Sequence, residues 1–510
     1  MRIVLASSEA VPFAKTGGLA DVASSLPKAL AAAGHDVWLI VPHYPQVFGK
    51  QSQENVSLES TGESVQISIG SIRVTGEILK SSLPGSNANV LLIDQPDYYD
   101  RPGLYQDEDS HDDYQDNCER FVFFSRAVLE TARCLDVQPD VVHANDWQTG
   151  LVPALLEIEY RQFPGFEHTA SVFTVHNMAF QGQFWHWDME LTGLDWKYFN
   201  SQQLEFFSHL NLLKTGIVFA DMVTTVSPTY AREIQTEEFG CGLYGVLRAK
   251  GENLVGILNG VDTDIWNPET DASLVKNYAA PRDGDLSSMI EGKAACKADL
   301  QERQGLPVRN NVPLFGMISR LTDQKGLDLT VDCISDAVRL DLQMTFLGSG
   351  NSYYEQFLAD LATRHPDKIA TTIGFDDALA HRIEAGADVF LMPSRYEPCG
   401  LNQMYSLLYG TVPVVRSVGG LADSVVDAND ENLSAGTATG FCFERYDSAS
   451  LLEQIGRAVR SFNHRRIWNQ LIGTGMSQDW SWSRSAVEYT AVYRRACSSR
   501  SESALGLSRE

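Results

Sequence analysis

The sequence predicts an α/β protein made of two doubly wound, Rossmann-like domains that face each other across a cleft. The chain has 510 residues, which is more than a single hydrophobic core usually serves. Short apolar runs typical of buried strands alternate with helix-length segments in both halves, and this alternation predicts parallel sheets. A loop-rich region near residue 255 separates the halves. These observations place a first domain at residues 1–255 and a second at 256–480.

The first half opens with an apolar strand at residues 2–7, a glycine turn and an amphipathic helix that begins near residue 19,. Further strands are expected at residues 36–42, 140–144, 170–176 and 221–227. Residues 50–120 differ, because polar and apolar residues alternate there before an acidic, aromatic stretch. We interpret that part as a β-excursion followed by a solvated surface loop.

The second half contains five apolar runs, each followed by a segment long enough for a helix. The runs are PLFGMIS, LQMTFLG, IATTIG, DVFLMPS and VPVVRS. They predict five parallel strands of one sheet. The last residues, 498–510, are rich in serine, and we expect them to be disordered,.

Charge and cysteine content limit the possible partners. The chain has 40 Lys and Arg against 66 Asp and Glu, a net charge of −26, which disfavours nucleic acid and anionic membranes as partners. Its eight cysteines form no CxxC pair and no zinc-type cluster with histidine,. No apolar run has the ~18–20 residues of a membrane span, and Glu9 interrupts any signal-like start,. We therefore expect a cytoplasmic protein with reduced thiols.

The turn KTGGLADV lies between the first strand and the first helix. Gly17 and Gly18 let a ligand approach the backbone, the helix start carries roughly +0.5 charge, and Lys15 adds a full charge. The turn therefore suits a phosphate. Short glycine motifs are weak signals, so an ordinary glycine turn with a surface lysine is the alternative.

Charged residues also follow predicted strands of the second half, at the sheet edge where open α/β sheets bind ligands. Arg320 and Lys325 bracket the turn after its first strand, and Glu397 precedes a glycine and a helix after its fourth. Each has an ordinary alternative, since the cations could pair with surface aspartates and the glutamate could cap a helix. Their coincidence with Lys15 in so acidic a chain favours a diphosphate site.

Other polar residues at strand ends are of the types that hold sugar hydroxyls, among them His176 and Asn177. Taken alone, His176 could be a hydrogen-bonded core histidine, and Asp21 and Asp146 could be N-cap or turn residues. No cluster of carboxylates with metal-ligand spacing is evident. The cations of the protein would then stabilise the leaving diphosphate without a metal ion.

Seven stretches in chain order resemble the bacterial glycogen synthases and plant starch synthases, which are family 5 glycosyltransferases of GT-B architecture. They are KTGGLADV, HANDWQTGL, FTVHNMAFQG, GILNGVD, SRLTDQKGLDL, PSRYEPCGLNQMYSLLYGTVPVVRSVGGLADSV and WSWSRSAVEYTAVYRRA. The resemblance implies transfer of glucose from ADP-glucose to the 4-hydroxyl of an α-1,4-glucan primer, with retention at the anomeric carbon. It implies no metal and no cofactor, and it implies a last helix at 481–497 that crosses back onto the first domain.

The resemblance also implies a role for each candidate residue. The residues with catalytic roles would be Glu397, His176, Arg320, Lys325 and Asp21. The residues with substrate-binding roles would be Lys15, Gly17, Gly18, Asp146, Asn177, Asn259, Phe375, Cys399, Gly400, Leu401, Gly419 and Gly420. Among them, Phe375 would cover the adenine, and the backbone after Glu397 would bind the distal phosphate and the sugar.

The chain departs from the family pattern at two places. Asn145 and Gln148 stand where many relatives have histidines, and Phe375 lacks the hydroxyl of the more frequent tyrosine. Three alternatives stay open: a transferase that uses UDP-glucose, one that makes a small glucoside, and a non-catalytic glucan-binding protein on the same fold. The presence of the three cations and Glu397 favours an enzyme over the last of these.

Overall fold

The computed structural model describes residues 1–51, 56–108, 110, 112–281 and 285–504. Its contacts divide the chain into two compact units. The first consists of Met1–Gly260 together with the C-terminal segment from Trp482, and the second is Val261–Ser481. The division thus falls a few residues after the boundary predicted at residue 255. None of the described helices is both long enough and apolar enough to cross a bilayer.

The first unit is built on a main sheet in which most neighbouring strands are parallel. The strands of the whole unit are β1 (Arg2–Ala6), β2 (Asp36–Pro42), β3 (Glu59–Ile69), β4 (Ile72–Ser82), β5 (Asn89–Asp94), β6 (Val141–Asn145), β7 (Ala170–Val175), β8 (Gln183–Trp185), β9 (Glu205–Phe206), β10 (His209–Asn211), β11 (Met222–Thr225) and β12 (Leu254–Gly256). The main sheet has the order β12-β11-β7-β6-β1-β2-β5-β4-β3, and only the β3–β4 and β4–β5 pairs are antiparallel. Strands β8, β10 and β9 form a small separate sheet.

Helices cover both faces of this main sheet. In chain order they are α1 (Gly18–Ala32), α2 (Pro45–Gln51), α3 (Pro96–Tyr99), α4 (Asn117–Cys134), α5 (Val152–Ile158), α6 (Met189–Thr192), α7 (Leu212–Phe219), α8 (Pro228–Glu233) and α9 (Tyr244–Lys250). Ile3, Val4, Leu5 and Ala6 of β1 are all buried although successive side chains point to opposite faces,. A strand that is apolar on both sides is typical of the centre of a parallel sheet, which explains its continuous apolar run.

The second unit has six strands in one parallel sheet, ordered β15-β14-β13-β16-β17-β18 among the described residues. They are β13 (Leu314–Ile318), β14 (Gln343–Gly348), β15 (Ile369–Ile373), β16 (Val389–Met392), β17 (Val412–Arg416) and β18 (Phe441–Phe443). Its helices are α10 (Ser287–Arg303), α11 (Leu327–Ala337), α12 (Ser352–Arg364), α13 (Asp377–Gly386), α14 (Asn402–Leu408), α15 (Gly419–Ser424), α16 (Asp430–Ala435), α17 (Ser448–Phe462) and α18 (Arg465–Met476). The five predicted strands are present, and the short sixth strand was not predicted.

The final helix, α19 (Trp482–Ala504), belongs to the first unit. Tyr493 lies in the core of that unit, and its hydroxyl is 2.8 Å from Nδ1 of the buried His143 on β6. The segment predicted to be disordered from residue 498 remains helical to Ala504, because Arg500 pairs with Glu157 and lies 3.6 Å from Asp221. The rest of that segment, 505–510, lies outside the described residues.

Most described residues of the acidic, aromatic stretch before α4 are at least partly exposed, as expected of a surface loop, but Tyr98, Tyr99 and Leu104 within it are buried. Arg120 is fully buried and donates hydrogen bonds to the carbonyl oxygens of Tyr98 and Leu104 and to Asn117 Oδ1. A buried guanidinium needs such partners for all its donors. Tyr98, Tyr99 and Leu104 therefore pack around an internal cation, whereas the described residues from 105 to 116 keep at least part of their exposure.

Candidate active site

The turn between β1 and α1 is held from inside by a glutamate. Glu9 Oε2 accepts hydrogen bonds from the amides of Thr16 (2.6 Å) and Gly17 (3.3 Å), and Oε1 accepts one from the Thr16 hydroxyl (2.7 Å). The amide of Gly18, the first residue of α1, has no hydrogen-bond partner among the described residues. A methyl group added at either glycine would meet nothing within 4 Å. The turn is therefore rigid, with open space above its backbone.

Lys15 and Asp21 flank this turn and contact each other. Lys15 Nζ lies 2.7 Å from Asp21 Oδ1, and the two side chains keep 50% and 31% of their accessible surface. Ion pairs this exposed contribute roughly 0–1 kcal/mol. A bound phosphate could therefore take the place of the aspartate at little cost.

Glu9 is a residue of this site that the sequence analysis did not assign. It is buried, its Oε1 also accepts a hydrogen bond from Tyr105 (2.7 Å), and burial raises the pKa of its carboxyl. The signal that could have found it is its position, since it follows β1 at the same sheet edge as the glycine turn. Its partner Tyr105 lies in the loop that precedes α4.

Asp146 occupies a strained position after β6. Its φ of 55° is in the left-handed region that non-glycine residues rarely adopt, at a cost of about 1–3 kcal/mol,. Its Oδ1 accepts a hydrogen bond from the His176 amide (2.7 Å), and the Asn177 amide also bonds to the carboxyl. Burial nevertheless raises the pKa of Asp146 to about 7. Such strain is typical of positions where function fixes the geometry.

Asn145 determines which nitrogen of His176 carries the proton. Asn145 Nδ2 donates to the carbonyl oxygen of Ala6 (3.0 Å), so its Oδ1 faces His176 Nε2 at 2.9 Å. An amide oxygen can only accept, so Nε2 bears the hydrogen and Nδ1 is left as an acceptor. Burial lowers the pKa of His176 to about 3. The imidazole is therefore neutral and presents an acceptor rather than a charge.

The remaining predicted residues of the first unit are Asn177 and Asn259. Asn177 follows His176 directly, and its Oδ1 accepts a hydrogen bond from the Ala179 amide at 3.0 Å. Asn259 lies beyond β12, two strands along the sheet from β7. Its side chain is 7% exposed, and its Oδ1 has no hydrogen-bond partner within the described chain. An unsatisfied buried acceptor costs about 1–3 kcal/mol, so this amide oxygen is available to a water molecule or a ligand.

In the second unit, Lys325 and Glu397 form a partly buried ion pair. Lys325 Nζ is 2.6 Å from Glu397 Oε2, which also accepts the Ser394 hydroxyl at 3.0 Å. They follow β13 and β16, which are adjacent parallel strands, so their sheet positions bring them to the same edge. Glu397 is 5% exposed, and its Oε1 makes no hydrogen bond among the described residues. That oxygen is available to a ligand hydroxyl.

Arg320 lies at the same edge and is exposed. Its side chain has no hydrogen bond or ion pair within the described residues. In a chain of net charge −26, an arginine side chain without a carboxylate partner is able to bind an external anion. The loop between Arg320 and Lys325 is fixed by Asp323, whose side chain binds the Tyr354 hydroxyl and whose carbonyl oxygen accepts that of Tyr446 (3.1 Å).

Cys399, Gly400 and Leu401 connect Glu397 to α14. Gly400 has a φ of 71°, which favours glycine, and Gln403 Nε2 donates to the carbonyl oxygens of Cys399 and Gly400, both at 3.1 Å. The amides of Gly400 and Leu401 have no partner among the described residues. The carbonyl groups are thus occupied from within, whereas these N–H groups are available for a ligand.

Gly419 and Gly420 begin α15, but their surroundings are full. A methyl group at Gly419 would overlap the carbonyl oxygen of Glu397, and one at Gly420 would overlap that of Cys399. The Gly420 amide donates to the carbonyl oxygens of Glu397 and Pro398, both at 3.1 Å. These glycines hold the Glu397 loop in place, and their predicted contact with the substrate stays a prediction.

Phe375 lies apart from these residues, after β15 at one end of the sheet. Its side chain is 91% exposed, which is unusual for a large apolar ring. Asp376 follows it as the N-cap of α13, accepting a hydrogen bond from the Leu379 amide at 2.9 Å. The ring is thus presented on a fixed helix start. In the described part of the chain, no three His, Cys, Asp or Glu side chains are grouped to hold a metal ion.

The two doubly wound units and their charged sheet edges define a glycosyltransferase of GT-B architecture. Residues 2–249 match the starch synthase catalytic domain, and residues 299–471 match the group 1 glycosyl transferases. A glycogen synthase of Rhodopirellula baltica is 44% identical, with 98% of each chain covered. One of Anaeromyxobacter dehalogenans is 45% identical, covering 97% of this chain and 99% of that one.

A solved structure gives the same result. The catalytic domain of starch synthase IV from Arabidopsis thaliana, bound to ADP and acarbose, has a TM-score of 0.87 and 32% identity, covering 98% of this chain and 99% of that chain. The protein belongs to the glycogen synthase family. The resemblance seen in the sequence is confirmed, and the chain is a glucosyltransferase that elongates a glucan.

Proposed function

We propose that the enzyme uses ADP-glucose as donor and the 4-hydroxyl of an α-1,4-glucan as acceptor, with retention at the anomeric carbon. The observation that carries the donor assignment is the set of groups without internal partners in the second unit. Arg320 is an exposed arginine without an ion pair, and Gly400 and Leu401 have unused amides. Together they supply charge and N–H donors for a diphosphate.

Phe375 supports adenine over uracil. Its ring is 91% exposed, and aromatic stacking strengthens with the contact area that it buries. A purine offers a larger face than a pyrimidine. The related starch synthase IV domain was solved with ADP bound. That observation concerns the relative, and it supports adenine in the proposal for this enzyme.

Glu397 is proposed to hold the glucose through its unused oxygen, with Lys325 fixing the other. When glucose leaves the diphosphate, positive charge builds at the anomeric carbon and negative charge on the phosphate. A carboxylate on a sugar hydroxyl favours the first and the cations favour the second, so both contribute most in the transition state. His176, as a neutral acceptor at Nδ1, is proposed to take a hydrogen bond from a sugar hydroxyl.

The first unit is proposed to bind phosphate at the open Gly17–Gly18 turn, with Lys15 exchanging Asp21 for the ligand. No metal ion enters the proposed chemistry, so activity should persist in EDTA. The cysteines are unpaired thiols, which supports the expected cytoplasmic location.

The experiment is a transfer assay with glycogen and either ADP-glucose or UDP-glucose, in which the released nucleoside diphosphate is measured. We expect a strong preference for ADP-glucose and α-1,4 linkages in the product. Phe375→Ala should raise the KM for ADP-glucose about tenfold, whereas Phe375→Tyr, which keeps the ring, should change it little. Equal rates with both donors would contradict the donor assignment.

A further inference from the structure

Three tryptophans lie exposed in one short stretch of the first unit. Trp185, Trp187 and Trp196 keep 60%, 50% and 40% of their surface, although tryptophan is highly buried on average. Trp185 ends β8, and the other two lie in short 3₁₀ turns that follow it. We call these three side chains the tryptophan surface. Its role is not explained by the residues of the candidate active site.

The rings of the tryptophan surface form a connected row. The centroids of Trp187 and Trp196 are 5.4 Å apart at 74°, and those of Trp185 and Trp187 are 6.4 Å apart at 67°. The ring of His186 lies near both Trp185 and Trp187, with centroid distances of 5.4 and 5.3 Å. The tryptophan pairs meet edge to face rather than stacked, and each ring keeps part of its surface exposed. The backbone at Trp185 is held in place by its pairing with His209 of β10.

We propose that the tryptophan surface binds an α-1,4-glucan chain away from its reacting end. This inference rests on the glucan acceptor of the proposed function. A glucopyranose ring presents apolar C–H groups on its faces and hydroxyls around its rim, so it can pack on an indole while remaining hydrated at its edge. The stretch contains Asp188, Glu190 and Asp195 against Lys197. That balance disfavours an anionic ligand and suits a neutral one.

The strand that carries Trp185 is anchored beside Trp147, the residue that follows Asp146. Phe184 of β8 lies beside Trp147, with ring centroids 5.7 Å apart, and Gly182 lies so close to the same indole that a methyl group there would overlap it. Trp147 directly follows the strained Asp146. Phe184 and Trp185 are successive residues of β8, so Trp185 faces away from Trp147,. A glucan whose end reaches Asp146 would therefore pass around β8 to reach the tryptophan surface of the same unit.

The test compares a long with a short acceptor in the double variant Trp185→Ala/Trp187→Ala. We expect the KM for glycogen to rise about tenfold or more, as for loss of buried aromatic contacts at an interface. The kcat, the KM for ADP-glucose and the transfer to maltotriose should stay unchanged. In a native gel containing glycogen, the variant should be retarded less than the wild type. Tyr353→Ala, which removes a 60% exposed ring from the second unit, is the control and should behave as the wild type.

Several results would overturn the inference. An unchanged KM for glycogen and unchanged retardation would do so, and so would an equal loss with maltotriose and glycogen. A wild-type dimer in sedimentation that the double variant dissociates, with glycogen kinetics intact, would assign the surface to a second copy of the chain. If the wild type transferred no glucose, the proposed function would fail, and the gel retardation would still test the surface by itself.

Discussion

The chain begins a helix with two glycines twice, and the two turns differ in what surrounds them. At Gly17 and Gly18 an added methyl group would meet nothing within 4 Å, whereas at Gly419 and Gly420 it would overlap the carbonyl oxygens of Glu397 and Cys399. The first pair leaves the backbone open to a ligand. The second pair lets one loop pack on another. The same dipeptide therefore leaves open space above the backbone in one unit and is packed against a neighbouring loop in the other.

The buried carboxyl groups near the two turns differ in the same sense. Glu397 has Lys325 at 2.6 Å, whereas Asp146 has amide donors and no ion pair within the described residues, and burial raises its pKa to about 7. At the sheet edge of the second unit, the charge of Glu397 is already paired. At the sheet edge of the first unit, the charge of Asp146 depends on pH. The following predictions test this contrast, from the largest expected effect to the smallest.

The largest effect is expected for Glu397→Gln. The substitution keeps the size and part of the hydrogen bonding but removes the charge that favours the transition state. We expect kcat to fall roughly 10²-fold or more, with the KM for the donor little changed. Steady-state kinetics measure both. A near-normal kcat together with a lower melting temperature would make Glu397 a helix cap instead.

Gly420→Ala should damage stability and activity together. The new methyl group would overlap the Cys399 carbonyl oxygen, which is backbone and cannot move alone. We expect a loss of about 1–3 kcal/mol in unfolding free energy, as for other overpacked sites, and a lower kcat because the Glu397 loop shifts. Thermal melts and kinetics on the same sample measure this. A wild-type melting temperature together with a wild-type kcat would contradict the close packing at Gly420.

Asp146→Asn should change the pH dependence of stability. The folded pKa of about 7 lies above the ordinary value of 3.8, so between these pH values the native state holds a proton that the unfolded state has lost. Stability therefore falls as pH rises from about 4 to about 7. The asparagine variant lacks this loss, so its melting temperature relative to the wild type should increase across that window. A constant difference from pH 4 to 7 would argue against a raised pKa.

The apolar runs predicted most strands, because a strand buried on both faces must be apolar along its length. The second half illustrates this, since its five predicted strands are present. The short β18 was missed because three residues carry little pattern. The burial of Tyr98 and Leu104 before α4 was missed because it depends on Arg120, which is 22 and 16 residues away from them.

The residue types at the site were also readable, but their contacts were not. The pairing of Lys325 with Glu397 spans 72 residues, and that of Glu9 with Tyr105 spans 96. The strained φ of Asp146 has no local signal. Whether a glycine pair is open or filled depends on which loop packs above it, so the sequence alone suggested one function for both turns.

The most direct test of the contrast is the effect of Gly18→Ala on ADP binding and on thermal stability. Gly18 is the first residue of α1, no steric contact opposes a methyl group there, and alanine in a helix is favoured over glycine by roughly 0.5–1 kcal/mol. We expect calorimetry to show ADP affinity reduced about tenfold, with a melting temperature equal to or above that of the wild type. Unchanged ADP affinity, or a lower melting temperature without ligand, would contradict the assignment of this turn to ligand binding.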